Sequence, residues 1–154
     1  MPLESNPEVI NSYIAKMGLK IEKWNFNELL STEDWGLEMI PKPVLGILML
    51  YEETPAQTDF KVAEADSLKP EEVPKNVFFM KQKAINACGT IGLFHLILNA
   101  KEKYPDLVIP GSFLDKFSQT ISGKDPEATA EVFKNSKELL AEHQHAVNEG
   151  SSHV

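Results

Sequence analysis

Cysteine occurs once in this sequence, at position 88, and it is the residue with the most latent chemistry. It follows a β-prone stretch, Val77 to Gln82, and a tight turn through Ile85-Asn86-Ala87, and it opens an apolar segment patterned as a helix from about Cys88 to Lys103. At the first turn of a helix, free backbone N–H groups and the positive end of the helix dipole converge, a setting that favours a thiolate. Gly89 beside it leaves room for a substrate backbone to approach. The residue types leave the thiol open as buried filler, as a nucleophile or as a redox sensor. A nucleophile needs a base. His95 lies seven residues further along the same helix, about 10.5 Å down its axis, out of hydrogen-bond reach, and it reads as a packed or helix-surface histidine. His143 and His145 stand two apart on a helix, point to different sides and make poor joint metal ligands, and His153 sits in the tail. No metal site and no cofactor is expected.

Composition bounds the partners. The chain has 154 residues, enough for one domain, with 42% hydrophobic and 25% charged residues, which disfavours disorder. Its longest apolar run, Val44 to Tyr51, has 8 residues, far short of the ~20 that span a bilayer, and the first residues lack a cationic start followed by an apolar stretch. A soluble, unexported protein without a membrane partner is expected. Twenty-three acids against fifteen bases give a net charge of −8, and every one of those bases is Lys. Without the arginine fork, and with an acidic surface, nucleic acid is a poor partner; a basic protein or peptide suits the charge better. A lone cysteine builds no disulfide framework, which fits a reducing cytoplasm or nucleus.

The elements that must position Cys88 can be read along the chain. A helix is expected from Pro7 to Met17, capped by Ser5 or Asn6 and stopped by Gly18, behind a short arm from Met1 to Asn6. Trp24 to Phe26 reads as a short strand, Ser31 or Thr32 as the cap of a brief helix through Met39, and Val44 to Tyr51 as a buried strand. From Glu52 to Asn76 the prolines predict a long surface connection with a short helix near Phe60 to Ala65. Helices follow over Ser112 to Ile121, Pro126 to Phe133 and Lys137 to Asn148, and Glu149 to Val154 is flexible in composition. An apolar strand demands hydrogen-bonded neighbours on both edges, and the chain offers too few of them.

The stretch Phe78-Phe-Met-Lys-Gln-Lys-Ala-Ile-Asn-Ala-Cys-Gly-Thr-Ile-Gly-Leu-Phe-His95 resembles the active-site segment of the ubiquitin carboxyl-terminal hydrolases, papain-like cysteine proteases. Pro2 to Glu8 is similar to the family's N-terminal segment, Trp24 to Phe26 to its first short strand, Met39-Ile-Pro-Lys-Pro-Val44 to its entry to a core strand, and His143 to Gly150 to the approach to its crossover loop. The resemblance spans the chain with gaps in the Glu52 to Asn76 connection and is closest to the small single-domain members.

What it implies is specific. The fold would be α+β and papain-like, with a central, mostly antiparallel sheet flanked by helices on both sides and incomplete within this chain. Residues 1–154 would form one catalytic domain ending in the crossover loop, its C-terminal third absent. Cys88 matches the nucleophile, and Gln82 the residue whose amide shares the oxyanion hole with the Cys88 N–H. The family's histidine and aspartate lie beyond the crossover loop, in segments this sequence lacks. The substrate would be the C-terminal Gly-Gly tail of ubiquitin or a related modifier. Pro2, Leu3 and Glu4 of the arm, Glu28, and Glu149 and Gly150 at the loop would face it, Leu3 as an apolar anchor. Without the resemblance, Glu4 and Glu28 are two of twenty-three solvated acids. The resemblance implies a monomer, or a chain paired with its own C-terminal segment, that hydrolyses ester, thioester or amide bonds at that glycine. A ubiquitin-binding fragment without catalysis is the alternative.

Overall fold

Helix α1 (Pro7–Met17) has the boundaries its sequence asks for in the computed structural model, which describes residues 2–69 and 76–149. The Asn6 side chain accepts the Glu8 N–H at 2.9 Å, Pro7 fills the first position, and Gly18 ends the helix at a left-handed φ of 108°. A Cβ at Gly18 would stand 2.2 Å from the Cβ of Ser112, so the position needs glycine for space as well as for φ.

Among the described residues six further helices follow: α2 (Asp34–Glu38), α3 (Pro55–Ser67), α4 (Cys88–Lys103), α5 (Phe113–Thr120), α6 (Pro126–Lys134) and α7 (Lys137–Glu149), with a 3₁₀ turn at Pro105–Leu107. Side chains of Thr54, Ser112 and Asp125 cap α3, α5 and α6. Helix α4 is the centre. Leu93, Phe94 and Ile97 are fully buried, and Phe94 meets Phe117 of α5 and Phe133 of α6 edge-on, at centroid distances of 5.3 and 5.7 Å. Ile10, Tyr13, Ile14 and Met17 of α1 and Leu139 and Ala146 of α7 join the same core.

The expected sheet is not there. Among the described residues the chain forms no strand, only an isolated antiparallel bridge between Leu19 and Val108, so the α+β sheet architecture is replaced by a helical one. Val44 to Tyr51 is the clearest departure. Leu45 is half-buried and Leu48 leans over Gly92 of α4, but Ile47, Met49 and Leu50 are 74%, 72% and 77% exposed. The physical reason is lateral: a strand exists through its neighbours' hydrogen bonds, and none of the backbone bonds among the described residues joins 44–51 to another segment.

The other two short strands fail alike, because side chains take the place of a ladder. At Trp24 to Phe26, Asn11 of α1 holds both backbone groups of Phe26, at 2.8 and 2.9 Å. Val77 to Gln82 is tied to α4 by side chains. Helix α2 also starts later than expected, at Asp34, because Ser31 accepts the Glu33 N–H and forms a turn ahead of the helix instead of capping it. Helix α3 runs further than the short helix expected near Phe60 to Ala65, because Thr54 and Gln57 form a reciprocal capping box. The tail beyond Glu149 lies outside the described residues.

Candidate active site

Cys88 is the first residue of α4, and the turn before it explains how it gets there. Asn86 adopts a left-handed φ of 59°, a conformation asparagine tolerates better than most residues, and this turns the chain from the Gln82 segment into the helix. The Cys88 side chain is exposed, so it is not the core filler that remained open from the sequence. Gly89 follows, but the space beside it is occupied: Leu3 of the arm packs there, its Cβ 3.2 Å from where a glycine Cβ would stand. The arm therefore lies across the start of α4.

Two residues on, Thr90 is buried and its hydroxyl meets His143 Nδ1 of α7 at 3.0 Å, joining α4 to the last helix described. Burial lowers the His143 pKa below its ordinary value, which keeps the ring neutral. The Tyr13 hydroxyl of α1 is enclosed in the same place without a well-formed hydrogen bond, and burial pushes its pKa up to about 12. His143 thus faces inward while His145 is exposed.

Gln82 sits at the outer end of the segment leading to the turn. It is exposed, and its amide nitrogen rests on the Ala84 carbonyl at 3.4 Å. The segment is clamped from two sides. From α4, Asn99 accepts the Phe78 N–H at 2.7 Å and donates to the Phe78 carbonyl at 3.0 Å, and His95 Nε2 accepts the Met80 N–H at 3.1 Å. From α6, the Pro126 carbonyl accepts the Lys81 N–H, Lys81 pairs with Glu127 at 3.1 Å, and Lys83 pairs with Glu127 and Glu131. Those ion pairs hold both carboxylates below their usual range.

Pro2 is exposed, and Glu4 accepts a long hydrogen bond from Asn6 at 3.5 Å. Glu28 is exposed and lines a cleft of about 500 Å³ with Ser5 of the arm, Pro7 of α1 and Val44 to Leu50. Glu149 is committed to α1: it takes Lys16 at 3.0 Å and Ser12 at 3.4 Å, and His145 of its own helix at 3.1 Å. Lys16, the nearest of these partners, lowers its pKa. Gly150 and His153 lie outside the described residues. A second cleft, of about 770 Å³, runs along α4 beside Leu48, His95 and Asn99. Neither cleft is lined by Cys88. Among the described residues, no cluster of three or more His, Cys, Asp or Glu could hold a metal ion, and no helix is long and apolar enough to cross a membrane.

Sequence reasoning missed the clamps. A polar pair at i and i+4, His95 and Asn99, inside an otherwise apolar helix was the available signal, and Thr90 with His143 was a second.

The model of ubiquitin carboxyl-terminal hydrolase, family 1, matches residues 1–154 of the chain. Ubiquitin carboxyl-terminal hydrolase 3 of Arabidopsis thaliana is 36% identical over 152 residues, covering 99% of this chain and 64% of that protein. Ubiquitin carboxyl-terminal hydrolase isozyme L1 is 34% identical in Rattus norvegicus and 33% in Homo sapiens, each over 155 residues covering 99% of this chain and 67% of the relative. The chain spans about two thirds of the length of the curated relatives it matches.

Proposed function

The chain belongs to ubiquitin carboxyl-terminal hydrolase family 1, and on that premise we propose that it carries the nucleophile and the oxyanion donor for hydrolysis at the C-terminal glycine of ubiquitin. The observation that carries this reading is the exposed Cys88 at the start of α4, where the free N–H groups of the first turn gather. Gln82 stands six residues before it, on a segment fixed to the same helix. Its amide, now on the Ala84 carbonyl through a long bond, swings to the developing oxyanion. Once there, an oxyanion donor is worth about 3 to 4 kcal/mol of barrier.

In the reaction, the Cys88 sulfur bonds to the glycine carbonyl carbon while the bond to the leaving amine, alcohol or thiol breaks. The proton removed from the thiol goes to the leaving group. Water then adds to the thioester and the sulfur departs with a proton. The base is not among the described histidines: His143 is spent on Thr90, His95 on Met80, and His145 faces solvent beside Glu149. The histidine and aspartate of the family's triad would come from the segments that the resemblance places beyond the crossover loop. At the substrate end, the arm of Pro2, Leu3 and Glu4 lies across the nucleophile's helix, where it meets the incoming tail. Glu28 supplies an acid towards the tail's basic residue, for ubiquitin or a related modifier, whereas Glu149, the other acid the resemblance implies there, is held by Lys16 and Ser12 of α1.

A fluorogenic amide at the C-terminal glycine of ubiquitin tests turnover. Release of the fluorophore that disappears in Cys88→Ala supports the enzyme. Tight ubiquitin binding with no release from a longer form carrying the triad histidine and aspartate would favour the non-catalytic binder instead.

A further inference from the structure

Resting on the reading above, we infer that His95 is a positioning residue: its neutral ring, with Asn99 one turn on, holds the segment 78–82 in the register that presents Gln82 to Cys88. Three observations carry this. The segment has no ladder, so the Phe78 and Met80 N–H groups depend on side chains, and both are satisfied from one face of α4, by Asn99 at 2.7 Å and His95 at 3.1 Å. Asn99 is itself fixed, donating to the His95 carbonyl at 2.7 Å. The His95 ring stacks on Phe79 at 5.1 Å, with an interplanar angle of 18°, and meets Phe78 edge-on at 5.7 Å, so its orientation is set by the segment it holds. Nε2 accepts, which places the ring proton on Nδ1.

A protonated ring has no lone pair for the Met80 N–H. Acidification therefore releases the segment at Met80, leaving Phe78 on Asn99 and Lys81 on α6. Burial lowers the His95 pKa, so release comes below the ordinary histidine range. Of the charged groups around the segment, Lys83 is held above the ordinary lysine range by Glu127 and Glu131, whose own pKa values it lowers, so these three keep their charges in that interval; Lys81 pairs with Glu127, and Lys103 is the one charged residue lining the cleft beside His95.

The test compares His95→Phe, which keeps an aromatic ring but cannot accept, with His95→Gln, whose amide oxygen can. Three rates are read in each, from pH 5 to 8: exchange of the Met80 and Gln82 amides, labelling of Cys88 by ubiquitin bearing a C-terminal electrophile, and labelling by iodoacetamide. In His95→Phe, Met80 exchange should rise and ubiquitin-probe labelling fall roughly threefold to tenfold. Iodoacetamide labelling should be unchanged, the acid limb of the wild-type profile should vanish, and His95→Gln should restore the wild-type rates at pH 7. Equal amide exchange in wild type and a folded His95→Phe would overturn the inference, as would equal probe labelling in the two. If the wild type reacts with iodoacetamide but not with the ubiquitin probe, the hydrolase reading fails, and the clamp itself is then decided by the exchange rates alone.

Discussion

Cys88 draws its setting from its chain neighbours. Asn86 supplies the left-handed turn, and Thr90, two residues into α4, anchors the helix start through His143 of α7. Replacing Thr90 with valine strands the buried His143 nitrogen beside an already unpartnered Tyr13 hydroxyl. We expect a loss of about 1 to 3 kcal/mol, read from urea unfolding at pH 7.5. His143 and His95 also set the sign of a pH dependence. Unfolded, a histidine takes its proton near pH ~6.5, whereas burial depresses both in the fold. The unfolded state therefore binds more protons, and stability falls as the pH drops from 7 to 5. His143→Leu should flatten part of that slope, and an unchanged urea midpoint between those pH values in the wild type would contradict it. Most of these contacts were not legible in the sequence. A threonine beside a cysteine carries no mark of what it bonds, and only the fold brings it to a histidine 53 positions away.

Helices were legible because their signals are local: α1, α4, α6 and α7 begin on Asn6, Ala87, Asp125 and Ser136 or close by, and start within a residue of where caps, prolines and 3.6-residue spacing put them. Strands were not, since an apolar run states a preference for burial but not who will cover it. Val44 to Tyr51 is the example, and its exposure makes a prediction that a buried strand would not. Leu50→Lys should change the stability of this chain by less than about 0.5 kcal/mol, whereas Phe94→Ala, in the aromatic contact of α4, α5 and α6, should cost about 3 to 5 kcal/mol. Comparable losses for both in urea titrations would mean that 44–51 is packed after all. Gly18→Ala meets both an unfavourable φ and the Ser112 side chain, for a loss of about 2 kcal/mol or more.

At the scale of the molecule, the helical core holds Cys88 outward at the start of its central helix, with the N-terminal arm packed beside it through Leu3 and Gly89. The family was legible because the motif that carries the resemblance is contiguous, running from Phe78 to His95. The clefts were not, because they form between segments far apart in sequence, such as the arm and Val44 to Leu50. Acidity suits a basic partner at this scale: a net charge of −8 with no arginine gives a surface that attracts a cationic tail and weakens in salt. The central claim is that Cys88 attacks the carbonyl at the end of ubiquitin. Its most direct test is intact mass after incubation with ubiquitin carrying a C-terminal electrophile, for the wild type and Cys88→Ala. A single ubiquitin adduct on the wild type, mapped to Cys88 and absent from the variant, is the expected result. An unmodified wild type whose thiol still reacts with iodoacetamide, or an adduct that survives in Cys88→Ala, would contradict it.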